Sequence, residues 1–220
     1  MLCGVAGGIG RTSAIRIREI GAVPVCSDCK EHHRRVAEMP PFREPVDPQV
    51  AVSDAVKAIA PDAEDAATAK PWKEVGTAFH TWLETLQATS EPAPTIVLAA
   101  FNGKRFDSRI WAFENKRHGI TNVPVDLHFV DLMAVFRKLM PEVVVPRTLA
   151  RYHEQVLKRP IVSAHTALGD SYALRDLINH VPNAALWAAI DQHVELADGV
   201  YRRCGLPVPS TTNEGGGQQN

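Results

Sequence analysis

The run Thr95-Ile-Val-Leu-Ala-Ala100 is apolar and ends in Phe101-Asn102-Gly103. Lys104-Arg105-Phe106-Asp107 follow, opening a helical pattern that carries Ile110, Trp111 and Phe113 inward. A short continuous apolar run closed by Asn-Gly and followed by helical spacing reads as a buried strand feeding a helix, which commits the chain to a sheet covered by helices. A second segment has a related form. Ser163-Ala-His165-Thr-Ala167-Leu-Gly-Asp170-Ser-Tyr-Ala173 reads as a loop carrying His165 that enters a helix whose first turn presents Asp170. Ala167 and Ala173 are small enough to let that helix lie close against the sheet. A His and an Asp at this spacing occur by chance on many surface helices, so the pair gains meaning from its order behind Asp107.

Composition bounds the function classes. The 220 residues are 45% hydrophobic and 22% charged, which suits one globular domain with a sizeable core. The 24 basic and 25 acidic residues give a formal charge of -1. That excludes a histone-like or tail-driven polyanion binder and leaves room for an enzyme with a local basic rim. Four cysteines make no disulfide framework in a chain of this length, and no apolar run approaches the ~20 residues of a membrane span. The first residues have neither the basic start nor the apolar stretch of a signal peptide. The expected setting is reduced and intracellular, nucleus or cytoplasm.

Several local signals read blandly. Gly4-Val-Ala-Gly7-Gly8-Ile-Gly10 looks like a phosphate-cradling loop, which needs a buried strand before it and a helix after it. Only three residues precede Gly4, no Gly-Lys-Ser/Thr follows, and none of Tyr152, Tyr172 or Tyr201 has the Lys four residues on that a short-chain dehydrogenase needs. Cys26-x-x-Cys29 with His32 and His33 is half of a zinc pattern. The plain reading is reduced cysteines at a hairpin tip beside solvated histidines. Asp62-Ala-Glu64 follows Pro61 in a polar helix-starting context, where acids favour the helix dipole and face water.

In chain order, Ile15–Val25 and Arg34–Met39 read as two strands of a hairpin. Residues 40–71 read as short helical fragments punctuated by Pro40, Pro41, Pro45, Pro48, Pro61 and Pro71. Trp72, Val75, Phe79, Trp82, Leu83 and Leu86 mark an amphipathic helix whose aromatic stripe is core. Val123–Val130 is expected as a strand, Asp131 as the cap of a helix through Met140 rather than a ligand, and Thr148–Leu157 and Ala184–Val200 as helices. Residues 1–205 form the expected domain and 206–220 a disordered tail. This order gives an α/β layer fold with a mixed sheet.

Asp107 and His165-x4-Asp170, in that order and separation, resemble the second and third motifs of the DEDDh family of 3'-5' exonucleases, a proofreading-subunit-like family of ribonuclease-H-like fold. Glu19-Ile-Gly-Ala-Val is similar to the segment its members carry on the second strand. The resemblance covers about residues 4 to 182 and implies a ribonuclease-H-like mixed β-sheet flanked by helices. It also implies hydrolysis of a single-stranded DNA or RNA 3' end with two Mg²⁺ or Mn²⁺ ions. By resemblance, His165 is the general base, Asp170 helps hold the metal that activates the water, and Asp107 helps hold the leaving-group metal. Asn102, Lys104 and Arg105 are candidates for contacts to the strand. Carboxylates suit this chemistry because hard cations prefer oxygen ligands and two ions ~4 Å apart can serve both nucleophile and leaving group. Histidine suits the base because its side chain ordinarily titrates near working pH.

One motif is missing. Counting back by the family's usual spacing puts Gly4 and Ala6 where the first-strand Asp-x-Glu belongs. Losing two charges from a site for two dications implies a rate lower by at least ~10³, about 4 kcal/mol of barrier. The same absence fits a truncated or mis-spliced product of an active parent. Three readings follow: an exonuclease of weakened activity, a non-catalytic nucleic-acid-binding module, and, on the glycine run alone, a nucleotide-dependent oxidoreductase.

Overall fold

The computed structural model describes residues 2–5 (as backbone), 16–25, 39–50, 68–88, 95–124, 126–143 and 145–209. Its strands are β1 (Leu2–Val5), β2 (Glu19–Val23), β3 (Phe42–Asp47), β4 (Lys70–Pro71), β5 (Ile96–Ala100), β6 (Leu127–Asp131) and β7 (Glu195–Leu196). Its helices are α1 (Trp72–Gln87), α2 (Asp107–Arg117), α3 (Leu132–Leu139), α4 (Leu149–Leu157), α5 (Ala167–His180), α6 (Asn183–Asp191) and α7 (Ala197–Arg203).

These strands form one sheet in the order β4-β3-β2-β1-β5-β6-β7. β1, β5 and β6 run parallel, while β2 is antiparallel to both β1 and β3. This is the expected α/β ribonuclease-H-like mixed sheet flanked by helices. It differs from the sheet that the dinucleotide reading requires; Gly7, Gly8 and Gly10 lie outside the described residues. A dinucleotide fold follows its first strand with a helix and a parallel strand, whereas β1 is followed in the sheet by the antiparallel β2.

Alternation sends neighbouring side chains to opposite faces. Ile20 and Ala22 of β2, Ile96 and Leu98 of β5, and Leu127 and Phe129 of β6 join one core with α1, α2 and α7. Ala99 and Val130 join the other, with α3, α4, α5 and α6. The stripe expected on α1 is that core face: Trp72, Val75, Phe79, Leu83 and Leu86 are buried. On α2, Ile110 and Trp111 are buried and Phe113 only half so. Glu114 is buried instead, satisfied by Arg16, Arg117 and His118.

Three sequence expectations give way. The antiparallel partner of β2 on its outer side is Phe42–Asp47, within the stretch read as helical fragments; Arg34–Glu38, like Cys26, Cys29, His32, His33, Asp62 and Glu64, lie outside the described residues. Pro45 fits this strand because the Val46 N–H reaches the Arg18 carbonyl at 2.7 Å, so by alternation the Pro45 nitrogen faces away from β2. The segment expected as one helix over Ala184–Val200 is α6, then β7, then α7, because Glu195 and Leu196 pair with Phe129 and His128 at the sheet edge. The strand expected from Val123 begins at Leu127. Beyond α7, the Leu206 N–H bonds the Tyr201 carbonyl at 2.9 Å and Leu206 and Val208 pack partly on the core.

Candidate functional site

The start of α5 is held by β2. Glu19 accepts the Ala167 N–H through Oε2 at 2.8 Å and the Arg43 Nε–H through Oε1 at 2.8 Å. A carboxylate at that N–H meets both an orphan donor and the positive end of the helix. Gly21 lets the two backbones touch, since a Cβ there would stand 2.6 Å from Ala167 C and Leu168 N. Ser171 Oγ lies 3.1 Å from the Gly21 carbonyl and 2.7 Å from that of Ala167. The Glu-Ile-Gly-Ala-Val segment is therefore a clamp for the helix that carries Asp170. Gly21→Ala should cost about 2 kcal/mol, the scale of overpacking a tight contact, read as a lower midpoint in urea; an unchanged midpoint would refute the clamp.

The loop before α5 is wound tightly. Thr166 caps the helix, its Oγ1 accepting the Gly169 N–H at 3.0 Å and donating to the Ser163 carbonyl at 2.8 Å. Ser163 and His165 have φ of 55° and 69°, a region costly for residues with a Cβ. Gly169 makes the winding possible, because a Cβ there would run into the Ser163 carbonyl. Asp170 Oδ1 accepts the His165 N–H at 3.1 Å, which leaves the exposed imidazole outside the loop. Burial pushes the Asp170 carboxyl above its ordinary pKa. The N–H and charge of His165 pull it back, and neighbouring Glu19 adds to the rise.

The Asp107 side is built by Asp131. Asp131 caps α3 by accepting the Met133 N–H at 3.0 Å, as expected. The same carboxylate accepts the N–H of Asn102 at 2.9 Å and of Lys104 at 3.4 Å. It thereby fixes the turn in which Asn102 has a φ of 62°. Ser108 Oγ donates to the Gly103 carbonyl at 3.0 Å, and Arg203 donates to the Lys104 carbonyl at 3.0 Å. Asp107 then sits half-buried in the first turn of α2. Lys104 and Arg105 are exposed, with the Arg105 guanidinium 6.0 Å from the Phe106 ring centroid. Asn102 Oδ1 is buried with no partner among the described residues.

All the predicted site residues share one edge of the sheet. α2 starts beyond the carboxyl end of β5. α5 starts against Glu19, the residue of β2 next to Ile20, which pairs with Val5 at the carboxyl end of β1. Open α/β sheets bind ligands at that edge. Asp107 approaches on the face of α1 and α2, Asp170 on the face of α5. Gly4 stands directly opposite Gly21, so a side chain at position 4 would rise on the α5 face; Ala6 lies outside the described residues.

The sequence reading missed Glu19, Gly21 and Ser171 as supports, and took Asp131 for a helix cap without its hold on the Asn102 turn. Glu19-Ile-Gly-Ala-Val and the Asp131 cap were the signals that the sequence carried.

Several solved structures superpose on the chain. Cell-death related nuclease 4 (CRN-4) matches with a TM-score of 0.60 at 14% identity, over 80% of this chain and 61% of its own. The zinc-bound E. coli ExoI complex with single-stranded DNA matches with a TM-score of 0.60 at 18% identity, over 87% and 41%. A further exonuclease I structure matches with a TM-score of 0.61 at 16% identity, over 85% and 42%. The chain shares their fold. It spans between about two fifths and three fifths of their lengths. No family model and no curated protein matches the sequence.

Among the described residues the carboxylates expected at this edge are fewer than two divalent ions require. Asp107 and Asp170 are two carboxylates, positions 4 and 6 supply none, and among the described residues no three His, Cys, Asp or Glu side chains come together to hold a metal.

Proposed function

We propose that this chain is a single-strand-binding domain of the 3'-5' exonuclease kind, a phosphodiester hydrolase in which the chemical step is strongly weakened. The observation that carries this reading is the gathering of Asp107, His165 and Asp170 at one edge of a ribonuclease-H-like sheet, with no carboxylate at Gly4 or Ala6. The structural neighbours support it: they are nucleases, one of them in complex with single-stranded DNA.

In the hydrolysis, water attacks the phosphorus of the last linkage, the bond to the 3' oxygen of the preceding nucleotide breaks, that oxygen takes a proton from solvent to become the new 3' hydroxyl, and a nucleoside 5'-monophosphate is released. His165 takes the proton of the attacking water. Its side chain is exposed to solvent, while its backbone N–H is held by Asp170. Asp107 and Asp170 are the residues toward which Mg²⁺ or Mn²⁺ would be drawn. Lys104, Arg105 and Asn102 lie on the turn that would meet the strand. Binding without hydrolysis is the second reading, favoured by the missing Asp-x-Glu.

Incubation of a 5'-labelled single strand with the purified chain in Mn²⁺ tests the proposal. A slow ladder of 3' shortening, absent in Asp170→Ala, is expected. No ladder, with strand binding intact in both proteins, would replace the hydrolase reading with the binding one.

A further inference from the structure

A groove runs beside the candidate site on the far side of the first turn of α5. Its floor is the α5 stripe of Thr166, Gly169, Ala173 and Asp176, its walls Tyr172, the 159–163 segment, His153 of α4 and Arg43 of β3. Asp170 is one residue on from Gly169, about 100° around the helix, so the groove and the Asp170 face flank the same first turn.

Two arginines and one aromatic ring line the groove. Arg159 and Arg43 face it with side chains 60% and 47% exposed. Their partners leave them accessible: Arg159 lies 2.6 Å from Asp176 and Arg43 2.8 Å from Glu19. Asp176 also has Arg175 at 4.0 Å, so two arginines share this one carboxylate. The segment that forms the wall is anchored where it begins, by the His153 Nδ1–H donating to the Arg159 carbonyl at 2.9 Å. The Arg175 guanidinium stands 4.6 Å from the Tyr172 ring centroid. At the rim, Val162 is 84% exposed, a large apolar surface with no packing role. Cations that track phosphates, an aromatic face and an apolar rim are the components of a single-strand site.

We infer that this groove receives a nucleotide of the single strand next to the reacting linkage, its base stacked on Tyr172 and its phosphates facing Arg159 and Arg43. The inference rests on the reading of the His165 edge as a strand-binding site, and adds to it where the strand continues. A free nucleoside monophosphate offers the same chemistry, and the choice of the strand follows from the groove's continuity with the Asp170 turn.

The test measures binding without turnover. Fluorescein-labelled oligothymidylate of six nucleotides and thymidine 5'-monophosphate as competitor are titrated against the full chain in EDTA, by anisotropy, at two salt concentrations. Tyr172→Ala should weaken the hexamer by about 10-fold while Tyr172→Phe restores it. Arg159→Gln should reduce the slope of log affinity against log salt by about one. Unchanged hexamer affinity in Tyr172→Ala, with melting as in the parent chain, would overturn the inference. Absence of hexamer binding to the parent chain would do the same. Competition by the monophosphate as strong as that by unlabelled hexamer would assign the groove to a free nucleotide and overturn the strand assignment. Because no metal is present, a loss of affinity in Tyr172→Ala sustains the groove even where the Mn²⁺ ladder is absent. An active chain indifferent to Tyr172 would sink the groove alone.

Discussion

Installing Asp at position 4 and Glu at position 6 should raise Mn²⁺-dependent shortening of a single strand by at least ~10³-fold, about 4 kcal/mol of barrier. The argument is one of charge and place. Gly4 pairs with Gly21 on the strand that α5 crosses, so a new carboxylate at position 4 rises on the face from which Asp170 approaches. Two added negative charges give a divalent ion the oxygen ligands that Asp107 and Asp170 alone do not supply. Without metal the same charges repel Glu19 and Asp170, whose carboxyl is already raised by burial and by Glu19. Gly4→Asp/Ala6→Glu should therefore melt lower than the parent chain in EDTA and gain about 2.7 kcal/mol when Mn²⁺ reaches a hundred times its dissociation constant. Asp170→Asn in that background should erase both gains. A folded double variant whose melting ignores Mn²⁺ and whose rate equals the parent's would show that the site lacks more than these two carboxylates.

The second large effect concerns acid stability. His80 of α1 is 2% exposed, its Nδ1–H donating to the Asn122 carbonyl at 2.7 Å. Its Nε2 is buried with no partner among the described residues, and the Trp111 ring centroid lies 5.7 Å from its own. Burial lowers its pKa from 6.5 to about 4, against a smaller opposing contribution from the Asn122 bond. The unfolded chain binds this proton from pH 6.5 downward and the folded chain only near pH 4, so protons favour unfolding throughout that interval. Stability is full above pH 6.5 and falls by about 3 kcal/mol as pH drops through 6.5 toward 4. Urea midpoints measured across this range should show the slope, and His80→Leu should flatten it at some cost at pH 7, because the Asn122 carbonyl loses its donor. An equal slope in both proteins would assign the acid sensitivity to other groups.

The alternation of Ile20 and Ala22, the stripe from Trp72 to Leu86, and the apolar run ending in Asn102-Gly103 determined by themselves that a sheet lies between helices, because each is a local period read directly as a buried face. Asp107, His165 and Asp170 were legible as residue types in order along the chain, and Asp131 as a cap. What these do to one another was not, since it depends on residues far apart in sequence. Glu19 reaches Ala167 across 148 positions and Ser171 reaches Gly21 across 150. The choice of Phe42–Asp47 as the partner of β2 overrode its proline, because only the sheet decides which way the Pro45 nitrogen points. The break in the expected Ala184–Val200 helix came from a two-residue pairing with β6 that no helical period contains. The groove lined by Arg43 and Tyr172 likewise joins a strand to a helix that are distant in sequence. Sequence determined which polar groups the chain carries and in what order. The tertiary structure decided which of them share an edge, because tight backbone contacts at glycines and single carboxylates spanning two elements are set only when the layers close.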